Sequence, residues 1–510
     1  MKNLLLAVAI KVLLLIPRTS SGQAPTIQWA KCYGGSLYDK AYSTVQTSDG
    51  GYIMAGETTS NDSDVTGNHG NNSDCWIVKI DSVGNLQWQK CLGGSGVDIA
   101  QSIIESSNGG YILTGLTQSN DGDVTINYGS SDCWVIKLDN LGNIVWQKTY
   151  GSAGSDVGHC IVESSDHNFV IAGTFYDTLS ALDYGVIKID STGAILWQNK
   201  YGGSSADEAW DIHETYDNGF IVAGWSSSND NIVTGNNGYN DCWILKIDNE
   251  GLIEWEQNFG SSGDDYCYSI LQSKDSGYIF ISQPLWNDSD VSCWRWRDYW
   301  LVKLDNAGNM QWQQCYGGSG YETGYYVNQT DEGGYIVCGN STSQDGDVTG
   351  NHGSDYWLIK TDSIGDLEWQ KCLGGSSLDV ARSVIETNDG GFIIGGSARS
   401  NDGDVTGNHG AFLTEDFWLV KLVPPVGASI QNRGQYSFSI YPNPATGMLH
   451  LSGLEQKTTI TFFNLLGERI MQQKIKDKDL ILDISKFSKG IYCIQVEMEK
   501  TCISKIFVKE

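Results

Sequence analysis

Five loops in this chain carry two aspartates one residue apart: Asp62/Asp64, Asp121/Asp123, Asp288/Asp290, Asp345/Asp347 and Asp402/Asp404. Two carboxylates so spaced, with Thr66 and Asn68 oxygens nearby, can supply part of the roughly six to eight oxygens of a calcium shell. The same spacing suits Asx turns, in which carboxylates hold a polar loop. The regular spacing and final glutamate of an EF-hand are missing, and Ile232 replaces the second acid in the fourth copy. The turn reading comes first, and calcium is the one cofactor these residues suggest. A second set of acids, Asp39, Asp98, Asp156, Asp207, Asp265, Glu322 and Asp379, leads a β-type run in each copy. Seven acids around one channel could bind a cation, but acceptance of backbone hydrogen bonds in a Gly-rich turn is the simpler role. His69, His352 and His409 share a Gly-Asn-His-Gly site, and in separate loops they cannot converge on one metal.

Departures from a repeat inform more about function than its constant positions. The fifth copy departs most, with Trp294, Arg295 and Trp296 in place of Asn-His-Gly, followed by Arg297 and preceded by Trp286. Exposed Trp and Arg are common hot-spot residues, although a self-contained cation–π stack would use the same residues. The third copy has a shortened loop, Tyr176 to Leu182, that should leave a notch. No nucleophile elbow, zinc signature or phosphate loop accompanies them.

The elements that must position these residues form one recurring unit. Trp29, Trp88, Trp146, Trp197, Trp255, Trp312 and Trp369 mark its copies. Each copy reads as four short strands, such as Ala100–Glu105, Gly110–Gly115, Cys133–Asp139 and Asn143–Lys148, with Asn/Gly hairpins between them. Seven four-stranded units at this period predict a seven-bladed β-propeller. A lone fourth-type strand precedes the first copy and the seventh lacks its own, so the N-terminal strand should close the last blade and hide its open edge. The long, polar loops then share one face, the candidate working surface. The segment Asp190-Ser-Thr-Gly-Ala-Ile-Leu-Trp197 resembles the tryptophan-docking segment of pyrroloquinoline-quinone-type propellers, which implies inter-blade packing of that Trp but no cofactor. A third-strand Trp recurs in six copies, with Gly185 in the third.

The chain has 510 residues and a formal charge of −29. Its last 75 residues hold ten Lys/Arg against eight Asp/Glu, so the acidity lies in the repeats, which argues against nucleic acid and anionic lipid as partners. Residues 1–24 read as a secretory signal peptide, and no later run is apolar enough for a transmembrane span in the mature chain. Most of the thirteen cysteines fall in small buried slots. Two pairs could bridge: Cys75 with Cys91 if their hairpin turns around Val83, and Cys493 with Cys502 if theirs turns at Glu497-Met498.

The C-terminal segment is unrelated to the repeat. Tyr441-Pro442-Asn443-Pro444-Ala-Thr-Gly447, then Phe463 to Arg469 through Gly467, Leu482 to Ser485, Lys489-Gly490-Ile-Tyr492 and Lys505 to Lys509 resemble the type A sorting domain of the type IX secretion system. The resemblance implies a small Ig-like β-sandwich, passage through the outer membrane, and the translocon and its sortase-like peptidase as partners. Four segments are expected: the signal peptide 1–24, the propeller 25–422, a linker 423–435 and the sorting domain 436–510. The expected function is binding or adhesion, secreted or at the outer cell surface via the periplasm, with a glycan or protein ligand. The alternative is an extracellular propeller enzyme acting on polysaccharide, a hydrolase or lyase.

Overall fold

The computed structural model describes residues 24–176, 182–293, 297–410, 414–423, 439–441, 445–452, 458–464, 469–475, 479–498 and 501–509. The expected signal peptide therefore lies almost wholly outside the described residues. So do most of the shortened third-copy loop, Trp294, Arg295, Trp296, Pro442, Asn443, Pro444 and Gly467.

All described secondary structure is β. Blade one comprises Asp39–Gln46, Tyr52–Thr58, Asp74–Ile80 and Leu86–Leu92, paired antiparallel in that order. Blades two to six repeat this order, from Asp98–Glu105 through Leu367–Leu373. Blade seven takes Asp379–Glu386, Phe392–Ala398 and Asp416–Leu422 from one end of the repeat region and Ile27–Tyr33 from the other. The register sets Ala30 against Val420 and Tyr33 against Phe417. The chain is thus a seven-bladed propeller closed by its N-terminal strand.

Closure is reinforced by a bond that recurs at every junction on the tight-hairpin face. The last residue of each innermost strand accepts a backbone N–H from the neighbouring hairpin. Glu105 accepts from Ser48 at 2.7 Å, Glu163 from Ser107 at 2.8 Å and Glu386 from Asp331 at 2.7 Å. Across the seam Gln46 accepts from Asn388 at 3.2 Å.

The tryptophans pack as the repeat predicts. Third-strand Trp76, Trp134, Trp243, Trp300, Trp357 and Trp418 are buried. The fourth-strand Trp docks on the next blade. Trp88 meets Tyr111 at 5.9 Å between ring centroids and lies on Gly142. Gly142 has φ +77°, and a Cβ there would sit 2.7 Å from the indole, so both backbone and packing require glycine.

The cysteines correct the expected bridges. Cys75 lies opposite Leu92, while Cys91 lies opposite Trp76, because a bulge between Lys79 and Ile80 shifts the register by one residue. Both thiols are free. Cys493 lies opposite Ile506 and Cys502 opposite Glu497, so that hairpin turns beyond Met498. The disulfide present joins Cys293 to Cys315, tying the blade-five long loop to its fourth strand.

The C-terminal region has a three-stranded sheet (Ser439–Tyr441, Met448–Ser452, Asp479–Asp483) and a four-stranded one (Thr458–Asn464, Arg469–Ile475, Gly490–Met498, Thr501–Lys509). Leu449, Leu451, Phe462, Ile494 and Val496 from both sheets share one core.

Candidate binding site in the central channel

The innermost strands carry a feature that turns a packing element into a site. In all seven, the ladder skips one residue: Tyr42, Gln101, His159, Trp210, Tyr268, Tyr325 and Arg382, one per blade. A bulged residue is unpaired and its side chain is re-aimed. Here each is half-buried and lines one cavity of about 210 Å³ along the axis, with His213 and Tyr326 deeper in. Two flanking slots are uniform, a small residue before the bulge (Ala41, Ala100, Gly158, Ala209, Cys267, Gly324, Ala381) and a buried acid three before it. The channel position differs from blade to blade, as do the residue two before it (Lys40, Ile99, Val157, Glu208, Tyr266, Thr323, Val380) and the residue after it.

Six of the seven side chains form a continuous arc from His159 to Tyr42. His159 stacks on Trp210, with 3° between planes and 5.2 Å between centroids. Trp210 meets Tyr268 edge-on at 5.2 Å, and Tyr268 meets Tyr325 at 5.0 Å. The Arg382 guanidinium lies 3.9 Å from the Tyr325 centroid and 5.9 Å from that of Tyr42. Tyr42 donates to Glu57 at 2.8 Å. Burial pushes the His159 imidazole down to about 4, so it is neutral at physiological pH. A second pocket of about 320 Å³ opens from Tyr42, Tyr325 and Arg382 toward the long-loop face, past Lys40, Asn340 and the Arg399–Glu415 ion pair.

Among the channel-lining residues the acid is Asp211. Its carboxylate accepts from Ile270 N–H at 2.9 Å and faces His213 Nε2 at 3.5 Å. Burial opposes its charge, yet His213 holds Asp211 below the usual carboxylate range, and Asp211 holds His213 above its ordinary value.

The residues singled out by sequence fall elsewhere. The first acid of each Asp-x-Asp pair caps the turn entering its own blade: Asp62, Asp121, Asp345 and Asp402 accept from Ser36, Ser95, Ser319 and Ser376 N–H at 2.6–2.7 Å. Asp288 accepts from both Ser262 N–H and its hydroxyl. The second acids, Asp64, Asp123, Asp290, Asp347 and Asp404, accept from the Gly N–H two residues earlier in the same turn, at 3.1–3.4 Å. Among the described residues no three His, Cys, Asp or Glu side chains are grouped to hold a metal ion.

The buried acids leading each innermost strand also hold these turns. Asp39 accepts from Gly35 N–H at 2.7 Å, and from the Thr58 and Ser60 hydroxyls. The histidines hold their own turns, as His352 does through Asp355, and two of them also face the next blade. His69 bonds Asp74 through Nδ1 at 2.7 Å and faces Asp123 of the next blade at 3.8 Å. His409 repeats this across the seam, with Asp416 at 2.7 Å and Asp64 at 3.8 Å.

Of the blade-five group, Trp286 is partly exposed and packs on Gly263. Arg297 has φ +60° and its guanidinium lies 5.2 Å from the Tyr321 centroid. Neither is among the residues lining the channel cavity.

Comparison with known proteins adds the tail. Residues 439–510 match the family described as the secretion system C-terminal sorting domain, and Tyr441, Gly490, Tyr492, Lys505 and Lys509 lie in its described strands. The chain is 21% identical over 382 residues to the regulatory protein FlaEY of Caulobacter vibrioides, covering 63% of this chain and 39% of that one. It thus spans about two fifths of that relative's length. Among solved structures it is similar to PorZ of Porphyromonas gingivalis, a surface component of the type IX secretion system. Identity there is 11%, coverage is 96% of this chain and 61% of that one, and the TM-score is 0.42. The Pan2 WD40 domain of Neurospora crassa aligns at 9% identity and TM-score 0.41, covering 76% of this chain and 89% of that one.

Proposed function

We propose that this protein is a binding propeller, exported by the type IX route to the cell surface or the medium, that takes a glycan or protein ligand at its channel mouth. The observation that carries this is the row of seven bulges. They aim seven side chains of five kinds at one axis, behind a constant small residue and a constant buried acid that fix the turn, so a re-aimed inward row is available to a ligand. Aromatic faces, a neutral imidazole, the Gln101 amide and a guanidinium suit a ligand with both apolar faces and hydrogen-bonding groups. Passage through the periplasm and processing by a sortase-like peptidase follow from the sorting tail under the same reading.

The competing reading is an enzyme on polysaccharide. A glycosidase needs two carboxylates facing one cleft, one of them protonated. The carboxylate at this cavity is held ionised by His213, and at the outer pocket Glu415 is paired with Arg399. Both favour binding over hydrolysis. The test is to expose the full chain to a glycan panel and assay retained ligand and released products together. Retention without turnover supports the proposal, and turnover overturns it. Loss of retention on Trp210→Ala, but not on alanine replacement of Trp294 and Trp296, separates the channel from the blade-five loop.

A further inference from the structure

Arg382 is out of keeping with its surroundings. The fully buried lysines of the propeller are matched by carboxylates: Lys79 with Asp49 at 2.8 Å, Lys188 with Asp166 at 2.7 Å, Lys303 with Asp275 at 2.9 Å and Lys421 with Asp389 at 2.9 Å, while half-buried Lys137 bonds the Gly109 carbonyl. Arg382 is half-buried in a chain of net charge −29. Yet among the described residues it has neither a carboxylate within 4.0 Å nor a hydrogen-bond acceptor for any N–H. What holds it is stacking on Tyr325. Stacking engages the faces of the guanidinium and leaves its edge, with the forked N–H donors, free for a planar anion. Arg382 lines both the axial cavity and the outer pocket.

We infer that the channel reads an acidic sugar: the carboxylate of a uronate residue accepts paired N–H bonds from Arg382 while the sugar ring lies along the aromatic arc. This rests on the channel being the binding site. The charge distribution narrows the ligand further. A body this acidic repels a long polyanion, and the opposite mouth is ringed by Glu105, Glu163, Glu214 and Glu386. A carboxylate therefore enters from the long-loop face and stops at Arg382, which suits a chain end or a short oligomer. The aromatic arc favours a sugar ring over an acidic peptide segment, since sugar C–H faces lie flat on indole and phenol rings.

Binding to the full chain is measured by calorimetry with four probes: a galacturonate trimer, its carboxyl-reduced neutral counterpart, a sulfated disaccharide and an acidic tripeptide. The galacturonate trimer is expected to bind at least tenfold more tightly than the neutral sugar. Arg382→Gln should weaken it roughly ten- to hundredfold, as for loss of a charge-assisted bond, and leave the neutral sugar unchanged. Arg382→Lys keeps the charge without the fork and should fall between, so it stands in if the Gln variant misfolds. Raising the salt from 20 to 150 mM should weaken trimer binding little, because long-range repulsion is screened along with the local attraction. Equal binding of the acidic and neutral trimers overturns the carboxylate inference but leaves the channel proposal standing, with Trp210→Ala still abolishing both. Tighter binding of the sulfated probe replaces uronate by sulfate and overturns the inference as stated. Arg382-dependent binding of the tripeptide alone overturns the sugar. Failure of all four probes overturns the uronate inference, whereas the channel reading falls only if ligand retained from the glycan panel is unaffected by Trp210→Ala.

Discussion

The His159 imidazole lies on the Trp210 indole with 3° between their planes, and its Nε2 bonds the Thr174 hydroxyl at 3.2 Å. One ring comes from blade three and the other from blade four, so the stack bridges two blades at the channel wall. Its outer partner, Tyr268, belongs to blade five. The aromatic arc is therefore built across blade junctions, and removing its central ring disturbs a surface rather than a sheet core.

Trp210→Ala should accordingly abolish ligand retention while lowering the melting temperature only modestly. Trp210 is half-buried, whereas Trp243 in the same blade is fully buried, and truncating a buried Trp costs about 3–5 kcal/mol. Thermal melts of the two alanine variants give the comparison. A Trp210 variant as unstable as the Trp243 variant would show a packing residue instead of a binding one.

The propeller should be more stable in mild acid than in mild base. Burial pushes Asp39 and Asp265 up to about 7, and Asp241 and Asp379 up to about 6. Between the unfolded carboxylate value and these pKa values the folded chain binds more protons than the unfolded one. The stabilisation is thus complete below about pH 4 and lost as pH rises through 6 to 7. His69, raised by Asp74 against the effect of burial, acts in the same direction. His159, pushed down to about 4, opposes it, since its stabilisation is complete above its unfolded value and is lost as pH falls toward 4. Calorimetric melts should fall by roughly several degrees from pH 5 to pH 8, and a flat or rising profile would contradict the assignment.

How much of this was legible in the sequence depends on what breaks the repeat. The period, the strand pattern and the missing last strand dictate the seven blades and their closure, because each follows from periodicity and edge pairing. The inter-blade docking of the fourth-strand Trp was implied by the resemblance of Asp190–Trp197 to a tryptophan-docking segment, and Trp88 on Gly142 is its form here. The channel is not legible in one copy: the slot held by Tyr42, Gln101, His159, Trp210, Tyr268, Tyr325 and Arg382 varies, but so do nearby slots such as Lys40/Glu208 and Ser43/Tyr326, and variation alone does not single it out. The departures of the blade-five loop are adjacent in sequence, whereas these seven are adjacent only once the ring closes. A bulge in a regular alternating strand leaves no local composition mark, so the side chain it redirects cannot be read from one copy. The Lys79/Ile80 bulge misplaced Cys91 for the same reason. The Cys293–Cys315 bridge had a readable clue, since Cys293 replaces the glycine seen at Gly67, Gly350 and Gly407.

That bridge yields a third prediction. Cys293 and Cys315 are 22 residues apart, and closing a loop of this size contributes about 3 kcal/mol in the chain-entropy account. Cys315→Ala should lower the melting temperature and hasten proteolysis within the blade-five loop. Peptide mapping of unreduced protein should find this pair joined while Cys75, Cys133, Cys242, Cys267 and Cys338 remain thiols. A bridge between Cys75 and Cys91 would refute the register described above.

Glycine at the turn entering each blade should prove to be set by carboxylates. A Cβ on Gly374 would stand 2.7 Å from both Asp355 Oδ1 and Asp379 Oδ2, two buried acids from adjacent blades. Its φ lies outside the left-handed region, so the backbone alone would accept alanine. Gly374→Ala should destabilise by about 1–3 kcal/mol through overpacking. Combining it with Asp355→Ala, which opens space beside the new methyl, should cost less than the two single changes added together. Strict additivity in that double-mutant cycle would mean the carboxylates are not what excludes the methyl group.

The last prediction concerns the tail. The sorting motifs lie only at the C-terminus, within the matched residues 439–510, whereas the propeller completes its own closure with Ile27–Tyr33 and, among the described residues, takes no strand after Asp416–Leu422. Deleting residues 436–510 should therefore leave a folded propeller with unchanged melting behaviour that is no longer displayed or released. Fractionation of the producing cells, with ligand retention measured on the truncated chain, tests both halves at once. Normal export of the truncated chain would sink the sorting role, and an unfolded truncation would show that the tail supports the propeller as well.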